Sequence, residues 1–224
     1  MAKASSRKVT TVHEHSRRVP ISKKNPTGVT VVDQHQRRVP GTYLTADEIA
    51  KIFKEYDCDG LVYPTSKKLD EYENADKYDE IIAVWTDYFN KKFAVNPPLD
   101  PDTVKALIAS ESGFDPDPPG NKKALGITQI TKETLKALQD PKGEAKEFTF
   151  EDFRQKDLKN PEVAIPMAIR WLLRKRDLAQ GKLKRTPTND EIILEYKGLL
   201  KSKTDWKKSA LKSYQKHYDL LKKK

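Results

Sequence analysis

The sequence contains one cysteine, Cys58, among 224 residues, so no disulfide within the chain can stabilise its fold. It has no apolar run close to the roughly 18 residues that a membrane-spanning helix needs. Hydrophobic residues make up 36% of the chain and charged residues 34%. The apolar residues cluster in patches, which excludes a globally disordered chain and favours a helical domain with long solvated faces.

The charge of the chain is unbalanced. Its 43 Lys and Arg residues exceed its 33 Asp and Glu residues, which gives a formal net charge of +10. This excess indicates an anionic partner, either nucleic acid, a membrane surface or an acidic cell-wall polymer. The N-terminus carries Lys3, Arg7 and Lys8 without the apolar stretch that is typical of a secretory signal. For a substrate outside the membrane, we therefore expect other machinery to deliver the protein.

The first 40 residues contain a repeat with a period of 20 residues. Residues 9–20 and 29–40 are identical at eight of twelve positions. Each copy is a β-branched stretch followed by His-x-Arg-Arg-Val-Pro, and the turn signal Asn-Pro-Thr-Gly at 25–28 lies between them. Two copies are too few for a solenoid. The pattern predicts an extended or hairpin-like arm over residues 1–43 that docks on a partner protein.

Helical signals dominate the rest of the chain. Capping boxes lie at residues 45–48 and 188–191, and Asp-Pro or Asn-Pro pairs at 100–101 and 160–161 mark two further helix starts. Apolar residues recur at helical spacing behind these signals. We expect Gly181 to end the helix that starts at 160–161. The fold class predicted from these patterns is mainly α, with a β-leaning N-terminal arm.

A glutamate at the end of an apolar helical face is the best candidate for chemistry. Glu111 follows an apolar helical face made by Val104, Leu107 and Ile108, and a carboxyl beside apolar side chains is favoured in its protonated form. A protonated carboxyl can donate its proton to the leaving oxygen of a glycosidic bond. In the segment 124–130, Gly126 allows close approach of the backbone to a ligand, and Gln129 offers an amide to an N-acetyl or hydroxyl group.

Two motifs around these residues resemble a known family. Glu-Ser-x-Phe at 111–114 and Ala-Leu-Gly-x-x-Gln-Ile at 124–130 look like the motifs of the soluble-lytic-transglycosylase (SLT) domain, which is related in fold to goose-type lysozyme. The third family motif, Ala-Tyr-Asn, is best matched by Glu195-Tyr196-Lys197, where lysine replaces the asparagine. The resemblance covers roughly residues 96–200.

The resemblance implies a role for each matching residue. Glu111 corresponds to the catalytic acid/base of the family, and Ser112 to the serine beside it. Ser112, Gly126, Gln129 and Tyr196 are the implied substrate-binding residues. The implied architecture is a lysozyme-like catalytic domain at 96–224 that ends in a basic helix, with a helical lead-in at 44–95 packed against it.

The implied activity is that of a peptidoglycan lytic transglycosylase. Glu111 would protonate the oxygen of the β-1,4 bond between N-acetylmuramic acid (MurNAc) and N-acetylglucosamine (GlcNAc). The acetamido group of the substrate would stabilise the cation, and Glu111 would then take the proton of the C6 hydroxyl to give a 1,6-anhydro-MurNAc end. No cofactor is implied, and the spacing of the histidines does not support a metal site.

Other functions stay open on the sequence alone. A muramidase would hydrolyse the same bond with a pair of carboxylates, and Asp115, Asp117 and Glu195 are available as the second acid. A non-catalytic wall-binding or assembly component of a phage particle or injection machine is favoured by the lysine in the third motif. Nucleic-acid binding rests only on charge and arginine pairs, without a recognition motif, and is the weakest interpretation.

The expected place of action follows from these functions. A peptidoglycan-cleaving enzyme acts on the cell wall, in the periplasm or envelope. A phage particle, a phage lysis system or an injection apparatus could deliver it there, with residues 1–40 as the tether.

Overall fold

The structure, a computed structural model, describes residues 9–12, 15–18, 26–27, 29–32, 35–38, 43–119 and 123–223. The chain forms two compact units, Met1–Tyr43 and Leu44–Lys224.

The described part of the first unit consists of short antiparallel strands. Strand β1 (Val9–Val12) pairs with β4 (His35–Arg38), and β2 (His15–Arg18) pairs with β3 (Val29–Val32). The Val-Thr pair of each repeat copy lies opposite the Arg-Arg pair of the other copy. The β-leaning arm of the predicted fold class is therefore confirmed, whereas its docking role stays a prediction.

The described part of the second unit is mainly helical, as predicted. Its helices are α1 (Ala46–Glu55), α2 (Asp79–Lys92), α3 (Pro101–Ser112), α4 (Lys132–Gln139), α5 (Pro161–Leu183), α6 (Asn189–Tyr196) and α7 (Asp205–Lys222). Two-residue strands accompany them: β5 (Tyr43–Leu44), β6 (Ala124–Leu125), β7 (Ile130–Thr131) and β8 (Thr149–Phe150). Strands β6 and β7 pair with each other and lie at the two ends of the second sequence motif, residues 124–130.

The helix starts predicted from local signals are confirmed. At α1, the Thr45 hydroxyl accepts the Glu48 backbone N–H at 3.3 Å, and the Glu48 carboxylate accepts the Thr45 N–H at 2.8 Å. Thr188 and Glu191 make the same reciprocal pair at α6. Both Asx-Pro starts are capped by the Asx side chain. These caps satisfy backbone donors that a helix leaves free in its first turn.

The predicted end of α5 was wrong. Gly181 lies inside the helix, which continues to Leu183 and ends at Lys184, a residue with a left-handed φ of +58°. Glycine costs about 1 kcal/mol in a helix interior relative to alanine, which is less than packing of the buried helix face contributes. Tertiary packing therefore decides where α5 ends.

Helix α5 forms the centre of the core, because it packs against α1, α2, α4 and α6. Helix α3 packs against α7, and the two run antiparallel. The Lys222 ammonium near the end of α7 lies 2.7 Å from carboxylate oxygens of Asp100 and Asp102 at the start of α3. The C-terminal end of α3 is thereby directed towards the start of α7.

A buried lysine connects α3 to the start of α2 and to the segment before it. The Lys105 side chain is fully buried, and its ammonium lies 2.6 Å from an oxygen of Asp76 and 2.7 Å from one of Asp79. It also donates to the Thr65 carbonyl at 3.0 Å. Burial raises the pKa of Asp79 although the Lys105 charge opposes this effect. A charge buried this deeply is tolerated because it is paired and hydrogen-bonded.

Replacing Lys105 tests this network. We expect Lys105→Met to lower the free energy of unfolding by about 3–5 kcal/mol, because the Asp79 carboxyl would stay buried without its partner. Urea unfolding measures the change. Lys51→Met is the matched control, since Lys51 is 70% exposed and its ion pair with Glu55 spans 4.0 Å; it should change stability by less than about 0.5 kcal/mol. Equal small losses in both variants would contradict a stabilising role of the network.

Candidate active site

Glu111 lies where buried helix α3 reaches a cavity. The residues of α3 from Pro101 to Ala109 are buried, and the helix ends at Gly113, which has a φ of +60°. The Glu111 side chain, 16% exposed, lines a cavity of about 460 Å³. A long buried stem therefore fixes the backbone from which this carboxyl extends, as the apolar stretch before it predicted.

The cavity brings together distant parts of the chain. Its walls come from the C-terminal ends of α3 and α6, the start of α4, the first half of α7 and one residue of α5. The charged, amide-bearing and aromatic side chains of the lining are Glu111, Gln129, Trp171, Tyr196, Lys197 and Trp206.

Lys197 forms an ion pair with Glu111. Its ammonium donates a hydrogen bond to Oε1 of the carboxylate, and its side chain is 14% exposed. In the described part of the chain, Glu111 is the only carboxylate and Lys197 the only cation that line the cavity. In the sequence, Lys197 is only a departure from the third motif, because no local pattern places it beside Glu111.

Tyr196 joins α6 to the second motif. Its hydroxyl donates to the Thr128 carbonyl at 3.0 Å, and its ring lines the cavity. Burial raises the pKa of Tyr196 well above its usual value, and the charge of Glu111 adds to the effect. The hydroxyl therefore stays neutral, with its proton directed to Thr128.

Ser112 joins α3 to the same motif. Its hydroxyl donates to the Ile127 carbonyl at 2.8 Å and accepts the Phe114 N–H at 3.1 Å. Ser112 does not line the cavity. These two hydrogen bonds hold the backbone directly after Glu111 in place. The sugar contact that the resemblance implies for Ser112 stays a prediction.

Gly126 and Gln129 shape the turn between β6 and β7. A Cβ on Gly126, which has a φ of +73°, would lie 1.8 Å from the Leu158 carbonyl oxygen, so this glycine packs against protein backbone outside the cavity lining. Gln129 lines the cavity, and its amide nitrogen donates to the Gly126 carbonyl at 2.8 Å. The hydrogen bond orients the Gln129 amide, whose oxygen can accept from a sugar hydroxyl or N–H.

The carboxylates considered as a second acid lie outside the cavity lining. Asp117 pairs with Lys159 at 2.9 Å, and Asp115 accepts the backbone N–H of Asp117 at 2.9 Å. Glu195 is buried and forms an ion pair with Lys182 at 2.5 Å. The site as described thus has one carboxyl group.

The model of the transglycosylase SLT domain family matches residues 88–216, from α2 into α7. The chain belongs to this family. The match covers more than half of the chain and includes the whole cavity lining. The comparison with curated proteins finds no match.

Membership gives the SLT domain its general function. The family consists typically of lytic transglycosylases that cleave peptidoglycan, and peptidoglycan is the substrate that membership implies. Across the described residues, no helix combines the length and the apolar character that crossing a membrane requires.

The sequence interpretation missed two tryptophans of the SLT domain. Trp171 is a buried residue of α5, and Trp206, in the first turn of α7, is 69% exposed; both line the cavity. Tyr214 and Leu221, further along the same helix, are buried in the core. The sequence signal that could have pointed to Trp206 is a lone tryptophan near the start of a lysine-rich helix.

Alanine substitutions at two glycines test the packing behind the site. Gly60 and Gly126 have matching φ values of +74° and +73°, but an added Cβ meets nothing within 4 Å at Gly60. We expect Gly60→Ala to cost about 1–2 kcal/mol from backbone strain alone. Gly126→Ala should cost about 1–3 kcal/mol more, because of the clash with Leu158. Urea unfolding measures both changes in stability. Equal losses would show that the backbone at 155–159, which contains Leu158, moves aside without cost.

Proposed function

We propose that this SLT domain is a lytic transglycosylase that cleaves the MurNAc–GlcNAc β-1,4 bond of peptidoglycan with Glu111 as its single acid/base. The supporting observation is the single carboxylate among the described residues that line the cavity. Glycosidases of the usual types need two carboxyl groups about 5–9.5 Å apart. With one carboxyl, the substrate itself must supply the second function.

The proposed reaction uses Glu111 twice. In the first step, the protonated carboxyl donates to the glycosidic oxygen, the bond from this oxygen to MurNAc C1 breaks, and the acetamido carbonyl oxygen stabilises C1. In the second step, the Glu111 carboxylate takes the proton of the C6 hydroxyl while the C6 oxygen bonds to C1. The product is a 1,6-anhydro-MurNAc end, no water is consumed, and Glu111 is protonated again.

The other cavity residues are suited to binding sugar rings. Trp206, which is 69% exposed, offers a flat apolar ring that can pack against the C–H face of a sugar, while the buried Trp171 adds apolar surface to the lining. The Gln129 amide offers a polar contact to an N-acetyl or hydroxyl group. Tyr196, Ser112 and Gly126 support this surface through their contacts with neighbouring backbone.

A non-catalytic wall-binding component is the second candidate. The observation that favours it is the ion pair of Glu111 with Lys197, because the Lys197 ammonium occupies Oε1 of the carboxyl group that would have to reach the glycosidic oxygen. A muramidase is a weaker candidate, because the described cavity lining offers no second carboxyl to activate a water molecule.

Product analysis tests the proposal. Purified protein is incubated with isolated peptidoglycan, and the soluble fragments are identified by mass spectrometry. We expect anhydro-MurNAc products from the wild type and a rate lower by about 100–10,000-fold in Glu111→Gln, since this change removes the proton donor. Glu133→Gln is the matched control, because Glu133 is exposed on the neighbouring helix α4 and lies outside the cavity lining. It should leave the rate unchanged.

The other outcomes identify the alternatives. Reducing-end products would make the domain a muramidase. Absence of products from several wall types, with wild-type and Glu111→Gln protein both co-sedimenting with peptidoglycan, would indicate the non-catalytic component.

We further propose that residues 1–43 are a docking arm through which a phage particle or injection machine carries the domain to the cell wall. This segment has nine Lys or Arg residues against two Asp or Glu residues, so it fits an acidic surface. Its described strands form two-stranded pairs. Such pairs are marginally stable alone in water, and a partner surface would stabilise them.

Deletion of residues 1–40 tests the arm. We expect the shortened protein to keep its activity on isolated peptidoglycan but to be lost from the purified delivery particle, as measured by immunoblotting. Replacing Arg17, Arg18, Arg37 and Arg38 by glutamine should cause the same loss of protein from the particle, if the positive charge of the arm is what binds the partner. Loss of activity on isolated wall would instead make the arm part of the enzyme.

A further inference from the structure

The rim loop, residues 199–206, leads from α6 into α7 at one edge of the cavity. Both of its ends, Leu199 and Trp206, line the cavity. Trp206, in the first turn of α7, is 69% exposed. A glycan that packs on the ring of this tryptophan therefore lies directly beside residues 200–205.

Hydrogen bonds within the chain give the rim loop a defined course. The Ser202 backbone N–H donates to the Leu199 carbonyl at 3.0 Å, and the Thr204 N–H donates to the Ser202 hydroxyl oxygen at 3.3 Å. The ammonium of Lys207, in the first turn of α7, donates to the Leu200 carbonyl at 2.7 Å. The side chains between these contacts therefore extend from a backbone that is held in place.

The charge along this edge of the cavity is positive. Residues 199–208 contain four lysines and one aspartate. The aspartate, Asp205, pairs with Lys208 at 3.6 Å. Lys201 and Lys203 are exposed, and neither ammonium has a hydrogen-bond or ion-pair partner among the residues that the structure describes. The two lysines of the rim loop can therefore bind an anionic group of a ligand without losing a contact within the protein.

We propose that Lys201 and Lys203 are specificity-determining residues, which favour glycan strands whose MurNAc residues still carry their stem peptides by binding the carboxylates of those peptides. This inference rests on the proposed transglycosylase function, because it assigns a substrate class to the same cavity. It goes beyond that function by distinguishing peptide-bearing strands from strands without anionic substituents.

The distribution of charge in the substrate matches that of the site. The hydroxyls and acetylated amino groups of the sugars are uncharged, and the lactyl carboxyl of MurNAc is bound as an amide to the stem peptide. The carboxylates therefore lie on the peptide, which branches away from the sugar ring. In the described cavity lining, the single carboxylate and the single ammonium are paired with each other, so the unpaired positive charge lies on the rim loop. Attraction between exposed charges is weakened by salt.

Kinetics with two matched substrates test this role. One is a soluble glycan fragment with its stem peptides, and the other is the same fragment with the peptide carboxylates converted to amides. We expect a KM about 3–10-fold lower for the carboxylate fragment, and high salt should remove this preference. The double variant Lys201→Gln/Lys203→Gln should bind both fragments equally. The matched control is Lys142→Gln/Lys146→Gln, which removes two exposed lysines outside the cavity lining and should keep the preference.

The outcomes separate this inference from the proposed function. Anhydro products with equal KM values for both fragments, or a preference that the Lys201→Gln/Lys203→Gln variant retains, would overturn the role of the two lysines alone. Absence of cleavage would overturn the transglycosylase proposal, and calorimetric binding of the two fragments would then test the lysines without catalysis. Tighter binding of the carboxylate fragment that is lost in the double variant, with unchanged thermal unfolding, would support their role. Equal binding of both fragments would contradict it.

Discussion

Burial of helix α3 is the constraint on which the rest of the second unit depends. The helix is enclosed from Pro101 to Ala109, so it can neither rotate nor slide without breaking core contacts. The Lys105 ammonium pairs with Asp76 and with Asp79 at the start of α2, and Lys222 of α7 pairs with carboxylates at the start of α3. The carboxyl of Glu111 extends from the end of this fixed stem. The catalytic role that we propose for Glu111 needs such a support, because small displacements from the reacting atoms lower the rate.

The backbone of the second motif connects the ends of two helices. Adjacent carbonyls in the turn between β6 and β7 accept hydrogen bonds from different elements: Ile127 from Ser112 of α3, and Thr128 from Tyr196 of α6. Gly126 presses the same turn against Leu158. The polar residues of the family motifs thus largely satisfy backbone groups and hold the cavity in shape, while Glu111, Gln129 and the tryptophans face the space where a glycan would bind.

The ion pair of Glu111 and Lys197 leaves the described lining of the cavity without net charge. One carboxylate and one ammonium are the only charged side chains among the described residues that line the cavity, and they are bound to each other. An asparagine could hydrogen-bond to a carboxyl, but it carries no charge. Lys197 therefore adds a positive charge next to Glu111 at the position where the family has asparagine.

The sequence alone determined the helix starts at Thr45, Asp100, Asn160 and Thr188, because caps act within about four residues. It also made Glu111 the catalytic candidate, since an apolar helical face that leads to a glutamate is a local pattern, and the family resemblance added Gln129 and Tyr196 as candidates. Tertiary structure decided the end of α5, the exposure of Trp206 and the pairing of Glu195 with Lys182. It alone placed Lys197 on Glu111, because the packing of α3 and α6 brings together side chains whose separation along the chain leaves no periodic signal.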